Sequence, residues 1–249
     1  IIENFKTAIS STVRSLSNSE KIEVAFGNQS VKSDKNSIKL PDIEKINDKI
    51  NYSQIRALAD SESLKIRFSD FSIFKKYEPE GNISKKLYKI AEKIRYEKLG
   101  STYFKGVKNN IQNYYLDRVN SLDFKNSEDN MTEAFENYLR IKFFNLKNSK
   151  ELEKKLKKYK KDLNDKFKEK ISDLNELTGD QAQYNSIISN LISKMNLDED
   201  FKEEEKHEEQ KDEKQSEPKN QDQKTEKQEQ DQHEMSIESG LPDLENQAK

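Results

Sequence analysis

The sequence predicts a mainly α-helical domain with one short β-hairpin near the N-terminus, followed by a disordered acidic tail. Apolar residues recur at helical spacing in block after block as far as Met195. Two β-branched or alternating runs, IEVAF at 22–26 and SIKL at 37–40, interrupt that pattern once. After Phe201 the periodicity vanishes. Residues 202–232 contain no Ala, Val, Leu, Ile, Met, Phe or Tyr, so burial cannot offset the entropy of ordering them.

Charge divides the chain at the same place. At 37 % charged and 31 % hydrophobic, 249 residues are too polar for one globule. Residues 198–249 hold 19 acidic and 8 basic side chains, a net of −11, whereas 1–197 carries +9. The overall −2 thus hides a basic helical domain (1–197) and an acidic linker or tail (198–249).

The elements follow in order. Residues 4–17 put Phe5, Ala8, Ile9, Val13 and Leu16 on one helical face. GNQSVKSDKN joins the two strand runs as a loose hairpin loop, and Pro41 ends the second strand. Helical patterning resumes near Asp48. The helix at 53–68 has Ile55, Leu58, Ala59 and Ile66 on one face, with Glu62 in the middle of it. Ala57, Leu64 and Phe68 make a second apolar side, so this helix is expected to be central. A carboxylate there is costly unless it is paired or protonated, and Arg95 or Arg56 is the expected partner.

FSIFKKY (71–77) reads as a short helix ended by Pro79 and Gly81, with Asn82 as N-cap of the next. That next helix, 83–99, aligns Ile83, Leu87, Ile90, Ala91 and Ile94. Arg95 and Glu97 fall on opposite edges of the stripe, and Glu92 points mostly outward. Gly100 is expected to end the helix as a left-handed C-cap. A second helix follows at once, with Tyr103, Phe104, Val107, Ile111, Tyr114 and Tyr115 on one face. Charge beside an apolar seam admits two readings: stems laid along the core rim with wet heads, or a buried ion pair or subunit contact. Met131, Ala134, Phe135, Tyr138 and Leu139 mark another helix. A long one is expected from about Lys150 to Leu177, broken by Thr178-Gly179-Asp180, and the last covers 181–195.

Several chemistries are excluded. There is no cysteine, hence no disulfide framework, zinc finger or thiol nucleophile, which suits a reducing cytoplasmic setting. Both histidines, His207 and His233, lie in the tail, so 1–197 has no imidazole. Neither a P-loop nor a G-x-S-x-G elbow is present. Asp70-Phe71-Ser72 begins like the metal loop of integrin-type domains, but Phe74 stands where the second Ser belongs, and the match is rejected. No apolar run approaches the roughly 20 residues of a membrane helix, and the N-terminus lacks the pattern of a signal peptide. Lysines 154, 155, 157, 158, 160 and 161 are the best nucleic-acid candidate, but only Tyr159 interleaves with them. A solvated helix face is the preferred reading, and nucleic-acid binding is not expected.

Arg56-Ala57-Leu58-Ala59-Asp60-Ser61-Glu62-Ser63-Leu64 resembles the R-G-x-A-D-S-x-A-L stretch of the T subunit of aerobic cobaltochelatase. Ala91 to Gly100, AEKIRYEKLG, resembles its E-Q-x-R-x-E-x-x-G helix, and Gly106 to Ile111, GVKNNI, resembles the G-v-x-x-N-[LI] that follows. The resemblance extends over about 1–200, and its specific part is roughly 56–111. On that basis Arg56, Asp60, Glu62, Glu92, Arg95, Glu97, Gly100, Gly106 and Asn110 are candidate structural or subunit-contact residues. The chain departs from the pattern at Ala57, Glu62 and Ser63, and at Ser69, where the family often has His.

The resemblance implies a subunit, or the N-terminal part of one, that pairs with an AAA+ ATPase subunit and a large chelatase subunit. The complex inserts cobalt into a corrin precursor of the hydrogenobyrinic acid a,c-diamide class, using ATP and Mg2+. No catalytic, cofactor-binding or metal-binding residue is expected in this chain. The family's C-terminal integrin-type domain is not part of this sequence, and MSIESGLPDLE (235–245) reads as a short docking motif or the approach to that domain. Two rival readings are a helical adaptor for another AAA+ machine and a nucleic-acid-binding helical protein.

Overall fold

The computed structural model describes residues 2–29, 37–43, 52–121, 127–146, 153 and 156–197. The expectations for 198–249, for residues 44–51 and for Lys154 and Lys155 lie outside the described residues.

The fold is mainly helical. Helix α1 (Ile2–Ser17) buries Ile9, Val13 and Leu16, as its spacing dictates. Strands β1 (Glu23–Phe26) and β2 (Ser37–Leu40) form a two-stranded sheet. They pair in parallel, Glu23 with Ser37 through Phe26 with Leu40, so the expected hairpin is wrong in orientation. Ten residues separate the strands, and a strand of four is only about 13 Å long, so the connection is long enough to return to the start of the sheet. Gly27 begins the return at φ 61°, a conformation open to glycine, and donates its N–H to Leu40 O at 2.8 Å. Ile22, Phe26, Ile38, Leu40 and Ile43 then close one apolar cluster with α1 and the start of α2.

Helix α2 (Tyr52–Phe68) packs against α1, α4 and α5, which makes it central as expected. Helix α3 (Phe71–Tyr77) is capped by Asp70, whose carboxylate accepts the N–H groups of Ser72 (2.7 Å) and Ile73 (3.3 Å). The Asp-x-Ser string is therefore a helix cap. Helix α4 (Asn82–Tyr103) starts one residue earlier than expected, after Gly81 at φ 92°, and Asn82 is inside it.

Gly100 does not end α4; the helix runs on to Tyr103, with Phe104 as its cap. Gly100 is required for closeness instead. A Cβ there would lie 2.3 and 2.5 Å from the two methyls of Leu64, which is fully buried on α2. Helix α5 (Lys105–Ser121) turns back against α2 and α4, joining Val107, Ile111, Tyr114 and Tyr115 to Ala57, Leu64 and Tyr96 in a second cluster.

The largest cluster lies on the other side of α4, against α3, α6 (Ser127–Phe144) and the C-terminal helices. Among the described residues the expected long helix is broken: 153 and 156 are helical, and turns at 157–159 and 168–170 set off α7 (Lys160–Phe167) and α8 (Ile171–Glu176), which a 3-10 turn at Leu177–Gly179 follows. Lysines three and four apart across 154–161 repel one another, which weakens a continuous helix there. Lys157, Lys158, Lys160 and Lys161 are all exposed. The last helix, α9 (Gln181–Ser193), buries Tyr184, Ile188 and Ile192 against α3 and α4.

The α2–α4 contact makes a test. Gly100→Ala gains about 1 kcal/mol of helix propensity but forces Leu64 aside, an overpacking cost of about 1–3 kcal/mol. The substitution should lower stability in urea unfolding. In a Leu64→Ala background the same substitution should be neutral or stabilising, so the double-mutant cycle should show strong coupling. Equal effects in both backgrounds would mean that the helices do not meet here.

Candidate functional site

Seven successive residues of α4, Ala91 to Glu97, are buried, and so are eight of α6, Glu133 to Arg140. Neither helix has a wet face over those two turns. Such a helix is normally apolar all round, yet these segments hold Glu92, Lys93, Arg95, Glu97, Glu133, Glu136 and Arg140. Each charge must find its counter-charge inside the protein.

Arg95 and Glu92 form one centre. Arg95 Nε and Nη2 donate to the two carboxylate oxygens of Glu92 at 2.8 and 2.7 Å, a bidentate pair one turn apart. The same guanidinium donates to Thr178 O (2.8 Å) and Phe68 O (2.6 Å). Glu92 also accepts from Ser69 Oγ (2.6 Å) and Gln181 Nε2 (3.0 Å). Gln181 in turn clasps Asp70, accepting its N–H at 2.7 Å and donating to its carbonyl at 3.0 Å. One buried ion pair thus ties the α2–α3 joint to the start of α9. Ser69, where the family often has His, is part of that tie. Glu92 was expected to point outward; it is buried because α9 covers the side of α4 that periodicity leaves free.

A second centre joins α4, α5 and α6. Arg140 Nη1 donates to Glu97 (2.8 Å) and its Nε to Glu136 (2.9 Å), while Ser61 Oγ of α2 donates to the other oxygen of Glu97 at 2.5 Å. Arg118 reaches Glu136 at 3.2 Å and Glu133 at 3.4 Å, and Asn137 donates to Glu133 at 3.2 Å. The Arg140 guanidinium lies 3.1 Å from the ring centroid of Tyr115, a close stack on its face. Lys93 is buried alongside, and burial pulls its ammonium below the ordinary range against the pull of Glu97 and Glu136. Burial also works to raise Glu136, but Arg118, Arg140 and Lys93 outweigh it and hold that carboxyl at about 2. Across both centres Glu92, Glu97, Glu133 and Glu136 face Lys93, Arg95, Arg118 and Arg140, so charge cancels.

Asp60 stands apart. It is 3 % exposed on α2 and accepts one hydrogen bond from Asn110 Nδ2 of α5 at 2.8 Å. Burial pushes its carboxyl up to about 6, against the bond from Asn110 and the charge of Arg56.

The expected residues are therefore partly brought together. Glu92, Arg95 and Glu97 are buried ion-pair members, which decides against wet heads. Asp60 meets Asn110, and Gly100 seats Leu64. Glu62 is only half-buried, and its partner is Lys65 at 3.9 Å rather than Arg95 or Arg56. The buried acid of α2 is Asp60, two residues earlier, because α2 is covered on the side facing α5. Arg56 is exposed, 5.5 Å above the Phe5 ring, and nothing lies within 4 Å of a Cβ placed on Gly106. Missed from sequence were Ser61, Lys93, Arg118, Glu133, Glu136, Asn137, Arg140 and Gln181. The α6 set had a signal: Glu133, Glu136, Asn137 and Arg140 are three and four apart, one face of a helix directly beside its apolar stripe.

Two outcomes follow. Arg140→Met leaves Glu97 and Glu136 without their shared cation, and removing one member of a buried pair costs about 3–5 kcal/mol. Lys170→Ala, which removes an exposed pair with Asp173, should cost no more than about 1 kcal/mol. Urea unfolding should separate the two; similar losses would place Arg140 in solvent.

For Asp60 the sign is opposite to that of a salt-bridged acid. With its folded pKa raised to about 6, the native state holds the proton that the unfolded chain releases near pH 4. Its contribution therefore falls as pH rises from about 4 to 6, by about 3 kcal/mol at 1.36 kcal/mol per unit. Asp60→Asn keeps the shape and the acceptor for Asn110. It should stabilise the protein at pH 7 and leave pH 4 almost unchanged; a loss at pH 7 would show that the ionised carboxylate is favourable.

Among the described residues no group of three or more His, Cys, Asp or Glu side chains is placed to hold a metal ion, and no helix is long and apolar enough to cross a membrane. No solved structure matches the chain. The family model described as "Cobalamin biosynthesis protein CobT" matches residues 2–248. Nearly the whole sequence is covered, including the 56–111 segment whose Asp60, Glu92, Arg95, Glu97, Gly100 and Asn110 build the helix joints, so this chain belongs to the cobalamin biosynthesis protein CobT family, the T subunit of cobaltochelatase.

Proposed function

We propose that the chain is a non-catalytic subunit, or the N-terminal part of one, of ATP-dependent cobaltochelatase. It couples an AAA+ ATPase subunit to a large chelatase subunit, and so ATP hydrolysis to insertion of cobalt into a corrin precursor of the hydrogenobyrinic acid a,c-diamide class, in the cytoplasm. ATP and Mg2+ belong to the ATPase partner, and cobalt is substrate.

One observation carries this reading. The polar residues that resemble the family pattern spend their hydrogen bonds on one another and on neighbouring backbone, across the α2–α4, α4–α6 and α2–α5 joints. Taking up a nucleotide or a metal ion with these side chains would strand a buried counter-charge. A close-packed body with its internal charges matched transmits displacement rather than absorbing it, which is what a part lying between a motor and a chelating subunit must do.

Reconstitution tests it. The purified chain alone should neither hydrolyse ATP nor insert cobalt. It should be retained by the AAA+ and large chelatase subunits, and cobalt insertion by those two should depend on its addition. Full insertion without it would sink the proposal, and retention only by an unrelated AAA+ protein would favour the adaptor reading.

A further inference from the structure

Three aromatic side chains gather where α2 ends and α4 passes into α5. Tyr103, 68 % exposed, stacks on Phe68 with centroids 6.0 Å apart and planes 18° apart, and Phe104 lies 6.4 Å from Tyr103. Arg67 sits between Phe68 and Phe104, at 5.4 and 5.6 Å from their centroids. Lys105 and Lys108 are exposed on the first turn of α5, Lys108 one turn on from Phe104. Residues 63–69 and 98–116, which supply this surface, contain no Asp or Glu; Asp70 and Asp180, which line a hollow with Arg67 and Phe68, bound it on the α3 and α9 side. Tyr103 is the exposed member; Phe68 and Phe104 are half-buried against the Leu64 cluster, and Arg67, which donates to Leu16 O at 3.1 Å, is held between them. A part-exposed aromatic patch with an interleaved arginine and a basic rim has the make-up of an interface centre. Neither the ion-pair centres nor the motif residues of the functional site account for it.

The chain carries a matching segment. Within 202–249 the larger apolar residues, Met235, Ile237, Leu241 and Leu244, are confined to 235–245, together with Glu238, Asp243, Glu245 and no basic residue. We propose that the patch of Phe68, Tyr103 and Phe104 with Arg67, Lys105 and Lys108 is a docking surface for an acidic, apolar peptide, occupied in this chain by segment 235–245.

Reach and charge both favour this occupant. The start of α9 lies beside the patch, because Gln181 is bonded to Asp70 two residues beyond Phe68. Helix α9 and the two residues beyond its final turn carry the chain about 24 Å from there to Leu197, at 1.5 Å per residue. The 37 residues 198–234 span about 35 Å root-mean-square if flexible, enough to return. A tether of that kind holds its end at an effective concentration on the order of 1 mM. A segment with an intrinsic Kd of about 1 mM, weak by any standard, would then occupy half the patches. The net charges of −11 and +9 on tail and body act in the same direction. The proposal does not depend on the chelatase reading.

The test uses the full chain, which has no cysteine, so Ser239→Cys provides a single attachment point for a nitroxide. In 15N spectra at low salt, amides of 64–68 and 102–108 should lose most of their intensity relative to the reduced label, because a millimolar complex exchanges fast and half-occupancy passes on about half of the nitroxide's large relaxation enhancement. The loss should disappear with Leu241→Asp plus Leu244→Asp, with Tyr103→Ser, and at high salt. Tyr103 is mostly exposed, so that variant should fold; its circular dichroism and melting should match the parent. Four outcomes would overturn the proposal: no broadening, broadening centred on lysines 157–161, broadening unchanged by Tyr103→Ser, or broadening that appears only when labelled 14N chain is mixed with unlabelled 15N chain. The last would assign the patch to a second copy.

Discussion

The fold turns on the pair between Glu97 of α4 and Arg140 of α6, each about 1 % exposed at the side chain. Two helices with no wet face are pressed together along a surface that carries charge. Desolvating such groups costs several kcal/mol each, and only close matching recovers it. Here the matching is extensive: Arg140 spans Glu97 and Glu136 and lies over the ring of Tyr115, and Ser61 of α2 completes Glu97. Any slide of α6 along α4 by one turn, 5.4 Å, would strand several buried charges at once. The network therefore fixes register as well as contact.

The Glu92–Arg95 centre does the same for connections distant in sequence. Thr178 is 83 residues from Arg95 and Gln181 is 89 from Glu92. An apolar contact would hold α9 against α4 without fixing which turn meets which. The carbonyls of Phe68 and Thr178, both at ends of helical segments, lack intrahelical donors and accept from Nη2 and Nη1 of one guanidinium. The short C-terminal helices, which bury little surface individually, are placed by polar contacts at their junctions and by the apolar cluster beneath them.

These centres explain what the sequence made legible. Helices α1, α2, α4, α5, α6 and α9 follow from apolar spacing, because each has at least one apolar stripe on a core. Periodicity assumes that the opposite side is wet. That holds for α1 but fails for α4 and α6, where Glu92 and Glu133 to Arg140 face neighbours that come from remote parts of the chain. On α2 the same assumption put the buried acid at Glu62, whereas two-sided coverage put it at Asp60. Strand positions were readable from β-branching, but alternation carries no information on direction, and the parallel pairing of β1 with β2 depends on how 41–43 and α2 close the cluster. Gly100 could be recognised as special; its reason, the Leu64 methyls, belongs to another helix.

A helix core of this polarity has a consequence for what the chain can evolve and still fold. An apolar core tolerates volume-conserving exchanges one residue at a time. A matched set of four carboxylates and four cations does not, since each single loss leaves a partner buried and uncompensated. Glu62, half-buried beside Lys65, shows the contrast. It stands where the resembling family pattern has an apolar residue, and the departure is accommodated because Glu62 lies at the rim and not within the matched set. The residues shared with the family pattern at Glu92, Arg95 and Glu97 lie inside it. Their retention thus follows from the cost of breaking a closed network of counter-charges, and needs no contact with nucleotide, metal or corrin to explain it.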